Sequence, residues 1–150
     1  MTDPVDAIRR ESAVVARIAA DAPPWWGPPA TAGAVARHQV QEAAVHRWDA
    51  ESAAGDPNPI DADAAADAVD EFLAVSLGDA LDELQGSVTL TASDTGATWT
   101  VGRDGGPAVD IVGTASDLLL VLYRRVDDGA VTVEGDAELG AAFLGLANTE

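Results

Sequence analysis

The sequence contains no cysteine, which excludes disulfides, thiolate metal ligands and a cysteine nucleophile, so any transferable thiol has to arrive with a cofactor. Nor is there lysine: all 8 basic residues are arginine, set against 26 Asp and Glu for a formal charge of −18. A surface so acidic repels nucleic acid and anionic lipid, and neither is expected as a partner. The acids are spread along the chain rather than gathered in a tail, which suits a folded protein better than a disordered acidic segment. A high-salt interior and a GC-rich genome would each produce this bias. No window of about 18 uninterrupted apolar residues occurs, and no basic stretch followed by an apolar run opens the chain. Neither membrane spanning nor secretion is therefore indicated, and a cytoplasmic protein is expected. Aromatics make up only 5% of the residues and much of the 47% apolar content is alanine, so large core side chains are scarce.

What is present changes rhythm part-way along. Residues 3 to 22 open with Asp3 as N-cap and Pro4 at the first helical position, then repeat apolar residues at Ile8, Val14, Val15 and Ile18, which predicts an amphipathic helix. "PPWWGPPAT" (23 to 31) is too rich in proline for regular structure and leaves Trp25 and Trp26 as apolar anchors in a loop. A second helix runs from Thr31 to a stop at Gly55, where "GDPNP" marks a linker. A third is predicted over 61 to 84, capped by Asp61 or Asp63, with Val69, Phe72, Leu73, Leu77, Leu81 and Leu84 three or four apart and a break near Gly78.

Beyond Leu84 the alternation has period two. "SVTLTAS" and "ATWTVGR" flank "DTG" as a hairpin, and "PAVDIVG" and "AVTVEG" add two more strands. Between the last two lies a buried helix over 114 to 126, capped by Thr114, and a final helix over 136 to 147 is capped by Asp136. "GRDGG" (102 to 106) lacks the Lys-Ser/Thr of a phosphate loop and reads as a turn. The fold class is α+β: a partial helical bundle of two helices, then a small α+β domain with an antiparallel or mixed sheet. Two helices and a tryptophan loop cannot enclose a core alone, so a second domain or a second chain is expected to cover them.

Both histidines fall in one stretch, "HQVQEAAVHRWDAE" (38 to 51). Residues four apart on a helix lie about 6 Å apart along the axis and on nearly one face, the geometry that lets two side chains share a metal ion; Glu42 and His46 have it. His38 and His46 are eight apart, about 12 Å, too far for one ion with bonds of about 2 Å. On spacing alone, an ordinary polar helix face accounts for the pair better than a metal site does. Arg124 and Arg125 either grip a carboxylate ligand or complement the end of their helix.

With "QEAAVHRWDAE" and "GDPNPIDADAAADAVDEFL" upstream, and "TASDLLLVLYRR" and "VTVEGDAELGAAFL" downstream, the chain resembles the mycothiol-dependent maleylpyruvate isomerase family over most of its length, from about Ala7 to Phe143. The resemblance implies a DinB-like metal-binding bundle followed by a sterol-carrier-protein-like domain, here residues 1–58 and 59–150. It also implies that Glu42 and His46 are two of three ligands to a divalent metal, zinc first, the third being a histidine on an earlier helix that has no counterpart here. In the family the metal is thought to hold the thiol of mycothiol as thiolate, which adds to a cis double bond, permits rotation and is expelled. An arginine of the C-terminal domain is implied in anion binding; Arg125 in "LYRR" matches it, with Arg124 as the alternative.

The expectation is thus an N-terminally shortened member with an incomplete zinc site and impaired thiol-dependent isomerase or transferase chemistry on a small-molecule substrate. A homodimer that completes the bundle is one way to restore the site. The alternative is a non-enzymatic small-ligand-binding or interaction module carried by the C-terminal domain.

Overall fold

The computed structural model describes residues 32–147, so the helix expected over 3 to 22 and the tryptophan loop lie outside the described residues. Two compact units divide the chain, Met1–Glu42 and Ala43–Glu150. Helix α1 (Ala32–Ala54) is the predicted second helix and runs through that boundary. It ends at Gly55, whose φ of 84° lies in the left-handed region open to glycine. There Asp56 N–H reaches Glu51 O at 3.1 Å and Gly55 N–H reaches Ser52 O at 3.0 Å, the paired bonds of a Schellman ending.

The proline segment after it is pinned. Glu51 Oε2 accepts from Asn58 N at 2.8 Å and from Arg47 Nη1 at 2.6 Å, and Arg47 Nη2 donates to Pro59 O at 3.1 Å. Ile60 then enters the core, its N–H bonded to the buried Ser116 Oγ at 3.0 Å.

Helix α2 (Ala62–Glu71) starts where Asp61 Oδ1 accepts from Ala64 N–H at 3.1 Å. The predicted helix over 61 to 84 is corrected here: regular α geometry stops at Glu71, a π-helical turn covers Phe72–Leu77, and a 3-10 stretch covers Gly78–Glu83. At the junction Gly78, at φ 37°, donates to Leu73 O, five residues back, in the wide π manner. Phe72, Leu73 and Leu77 are all buried, so the widened turn keeps one apolar stripe on the core after the α period has been left.

Four strands form one sheet in the order β2-β1-β3-β4, with β1 Ser87–Ala92, β2 Thr98–Gly102, β3 Ala108–Gly113 and β4 Thr132–Gly135. The outer pairings are antiparallel and the central β1–β3 pairing is parallel, so of the two sheet types expected the mixed one forms. For β1 to sit between β2 and β3, "RDGGP" crosses the start of β1: Arg103 N–H bonds Gly86 O at 2.8 Å and Ser87 N–H bonds Pro107 O at 2.9 Å. A Cβ at Gly86 would fall well inside contact distance of the Pro107 carbonyl oxygen, so only glycine fits under the crossing.

Val88, Leu90, Ala92, Val109 and Ile111 are buried on one face of the sheet. Helix α3 (Ala115–Leu122) and helix α4 (Ala137–Leu146) pack there, and α2 lies against α3. Thr114 caps α3, accepting from Asp117 N–H at 3.1 Å, and Asp136 caps α4, accepting from Leu139 N–H at 2.9 Å. Every residue of α3 but Asp117 is buried. Phe72, Phe143, Leu90, Ile111, Leu118, Leu119 and Leu122 are the largest fully buried side chains among the described residues, each worth roughly 1.5–3 kcal/mol of burial.

The helix predicted over 114 to 126 ends earlier, at Leu122. Arg125 N–H reaches Leu120 O at 2.8 Å and Arg124 N–H reaches Val121 O at 3.0 Å, a second Schellman ending, with Arg124 at φ 56°. Both arginines therefore follow the helix instead of lining its last turn.

Candidate functional site

The left-handed residue at the end of α3 separates the two arginines in direction and in use. Arg124 donates from Nη1 to Asp128 Oδ1 at 3.1 Å and from Nη2 to Leu144 O on α4, so it ties the turn after α3 to the last helix. Arg125 points to α1. Its Nε donates to Asp49 Oδ1 at 2.9 Å, its Nη2 to Asp49 Oδ2 at 3.2 Å, and its Nη1 to Tyr123 O at 2.9 Å. The Tyr123 ring in turn packs on Phe72, with centroids 4.9 Å apart and planes at 56°. Between the two candidates raised by the sequence, Arg125 is the one beside the histidine helix. Both arginines, with Val126, Asp127, Asp128 and Gly129, line an open cleft of about 540 Å³.

Asp49 is the residue that sequence reasoning missed. Its carboxylate takes the Arg125 fork and also meets His46 Nδ1, three residues back, at 3.1 Å. The Arg125 hydrogen bond holds the Asp49 carboxyl below its ordinary value of 3.8, with the His46 contact adding to that and desolvation opposing it. A carboxylate accepts only, so in this pair the imidazole carries its proton on Nδ1. When the ring is neutral the lone pair is then on Nε2, the carboxylate–histidine arrangement common behind metal ligands. One signal was within reach of the sequence: Asp49 stands three residues after His46, one helical turn on. Its pairing with Arg125 joins residues 76 apart and left no local trace.

Glu42, the other expected ligand, belongs to the first unit, where its carboxylate lies 3.9 Å from His38 Nε2. His46 belongs to the second, with a side chain 64% exposed. Among the described residues no group of three or more His, Asp or Glu side chains is gathered as a metal site would need. No helix among the described residues is long and apolar enough to cross a membrane.

A protein-family model described as the MDMPI C-terminal domain matches residues 63–142, more than half of the chain. The chain belongs to that family. MDMPI stands for mycothiol-dependent maleylpyruvate isomerase, and the family is the C-terminal domain of proteins like that enzyme. No curated protein and no solved structure matches the chain. The MDMPI C-terminal domain contains the sheet, α3, most of α4 and both Arg124 and Arg125; Glu42, His46 and Asp49 precede it. Arg125 thus reaches from inside the matched span to a carboxylate outside it.

Proposed function

We propose that this is a maleylpyruvate-isomerase-like protein that holds a small anionic ligand at Arg125 and a divalent metal, zinc first, at Glu42 and His46. Its thiol-dependent isomerase or transferase chemistry, with mycothiol as the thiol, is impaired. The observation that carries this reading is the Asp49 carboxylate, which meets the candidate anion-binding residue and a candidate metal ligand at once.

The fit to a metal is partial. Glu42 and His46 are four apart on α1, and Asp49 fixes the His46 tautomer, as a ligand histidine requires. Among the described residues, two protein ligands nevertheless fall short of the three a catalytic zinc site ordinarily takes, and this is the reason the chemistry is proposed as impaired. When bound, such a metal supplies Lewis-acid stabilisation of a thiolate. The chain's own contribution is at Arg125, whose guanidinium neutralises and orients a carboxylate, and at Asp49, which positions both Arg125 and His46. With no cysteine in the sequence, the thiol is the cofactor's. A second copy supplying the third ligand is the partner that would complete the site.

The test is zinc content and turnover of the purified protein, together with its mass by light scattering. Weak zinc that is lost on dialysis, with little or no mycothiol-dependent turnover of maleylpyruvate, is expected. Tightly held stoichiometric zinc in a monomer, with thiol-dependent turnover, would sink the reading. The second reading, a non-enzymatic binding module, is favoured by the Arg125–Asp49 contact lying wholly inside Ala43–Glu150. Under it, His46→Ala leaves ligand binding unchanged.

A further inference from the structure

The fork of Arg125 already holds a carboxylate, and that carboxylate is the protein's own. Asp49 meets Nε at 2.9 Å and Nη2 at 3.2 Å, the two-point arrangement that a free carboxylate adopts on a guanidinium. Nη1 is turned back to Tyr123 O, so the backbone fixes which edge of the guanidinium is presented. The contact is accessible, with the Arg125 and Asp49 side chains 34% and 33% exposed, and an ion pair in that setting is weak enough to exchange with a ligand from solution. A second anion cannot join Asp49 on the same edge, because two carboxylates a few ångströms apart repel. On leaving Arg125, Asp49 still has His46 Nδ1 at 3.1 Å.

We infer that Asp49 is an internal stand-in for a ligand's carboxylate: it closes the Arg125 fork in the ligand-free protein, and a small carboxylate binds by displacing it onto His46. The inference rests on the reading of Arg125 as the anion-holding residue and adds the regulation of that site. Competition with Asp49 lowers the apparent affinity for carboxylates, and anything that draws Asp49 towards His46 raises it. An internal competitor of this exposure that holds the fork about four-fifths of the time lowers the apparent affinity about fivefold.

The experiment is a titration of the full chain with succinate, and with acetate as a monocarboxylate, followed by calorimetry in every variant and, wherever Arg125 is kept, by the NMR signal of its Nε–H, which Arg125→Lys identifies by its loss. In the unmodified protein succinate shifts that signal; in Asp49→Asn, which keeps the shape but not the charge, saturation comes at about fivefold lower concentration. Asp49→Ala does the same if the charge is what matters, and circular dichroism of each variant reports that the fold is kept. Equal or weaker succinate binding in both Asp49 variants, with Arg125→Lys still abolishing it, overturns the stand-in inference and leaves the anion-holding role of Arg125 intact. If succinate never moves the Arg125 signal in any variant, or binds Arg125→Lys equally well, the anion-holding reading fails and the inference fails with it.

Discussion

Arg124 holds at the end of α3 the place that Gly55 holds at the end of α1: both close a Schellman motif in the left-handed region, at φ 56° and 84°. Glycine does so without steric cost. Arginine does so because its side chain is anchored on Asp128 and on the Leu144 carbonyl.

Removing that anchor separates the two effects. Arg124→Ala keeps the unfavourable backbone and loses the contacts, and is expected to destabilise by about 1–2 kcal/mol. Arg124→Gly loses the same contacts but relieves the backbone, and should be about 1 kcal/mol more stable than the alanine variant. Urea unfolding of the two variants measures this, and a glycine variant no more stable than alanine refutes it.

The Asp49–Arg125 contact gives a pH signature of definite sign. The folded-state pKa of Asp49 lies below its ordinary 3.8, so the stabilisation is fully present above that value and is lost as pH falls through the depressed folded value. The stability difference between the unmodified protein and Asp49→Asn, about 0.5–1 kcal/mol for a pair of this exposure, should persist to about pH 5 and shrink below about 3.8. Denaturant midpoints across that range test it; a difference that does not shrink below about pH 3.8 contradicts the assignment.

On the exposed face of the sheet Asp110 of β3 stands directly opposite Glu134 of β4. Like charges in that position oppose pairing, so Glu134→Arg is expected to stabilise by about 0.2–1 kcal/mol, and by less at high salt. The thermal midpoint measured at two salt concentrations decides the matter.

If His46 takes part in metal binding, its orienting carboxylate matters too. Asp49→Ala should lower zinc affinity about tenfold, while Glu51→Ala, two residues further along and engaged with Arg47 and Asn58, should not. Competition with a chromogenic chelator gives both numbers, and equal effects from the two variants would remove Asp49 from this role.

Much of the fold was legible because its punctuation is local. Thr114, Asp61 and Asp136 act as the caps their chemistry suggests, and the alternation of Val88 and Leu90 with threonines gave β1 and its buried face. The π turn over Phe72–Leu77 was not legible, since apolar spacings of three and four are shared by a regular helix and one locally widened. Arg125 was reached through the resemblance; its partner was not, because the choice between solvent and a carboxylate distant in the chain is made by tertiary packing. The parallel pairing of β1 with β3 was hidden for the same reason, with only the glycines around "RDGGP" hinting at a close crossing.

The pinned segment after α1 bears on how this protein should be cut for study. Composition invites a fragment starting at residue 59, yet such a fragment discards Val45, which is 1% exposed in the core, and Asp49, which holds the Arg125 fork. It would also sever the Glu51–Asn58 and Arg47–Pro59 ties that form the corner between α1 and α2. A fragment starting at Ala43 keeps all of these, and with them the guanidinium in the orientation on which any ligand-binding measurement depends.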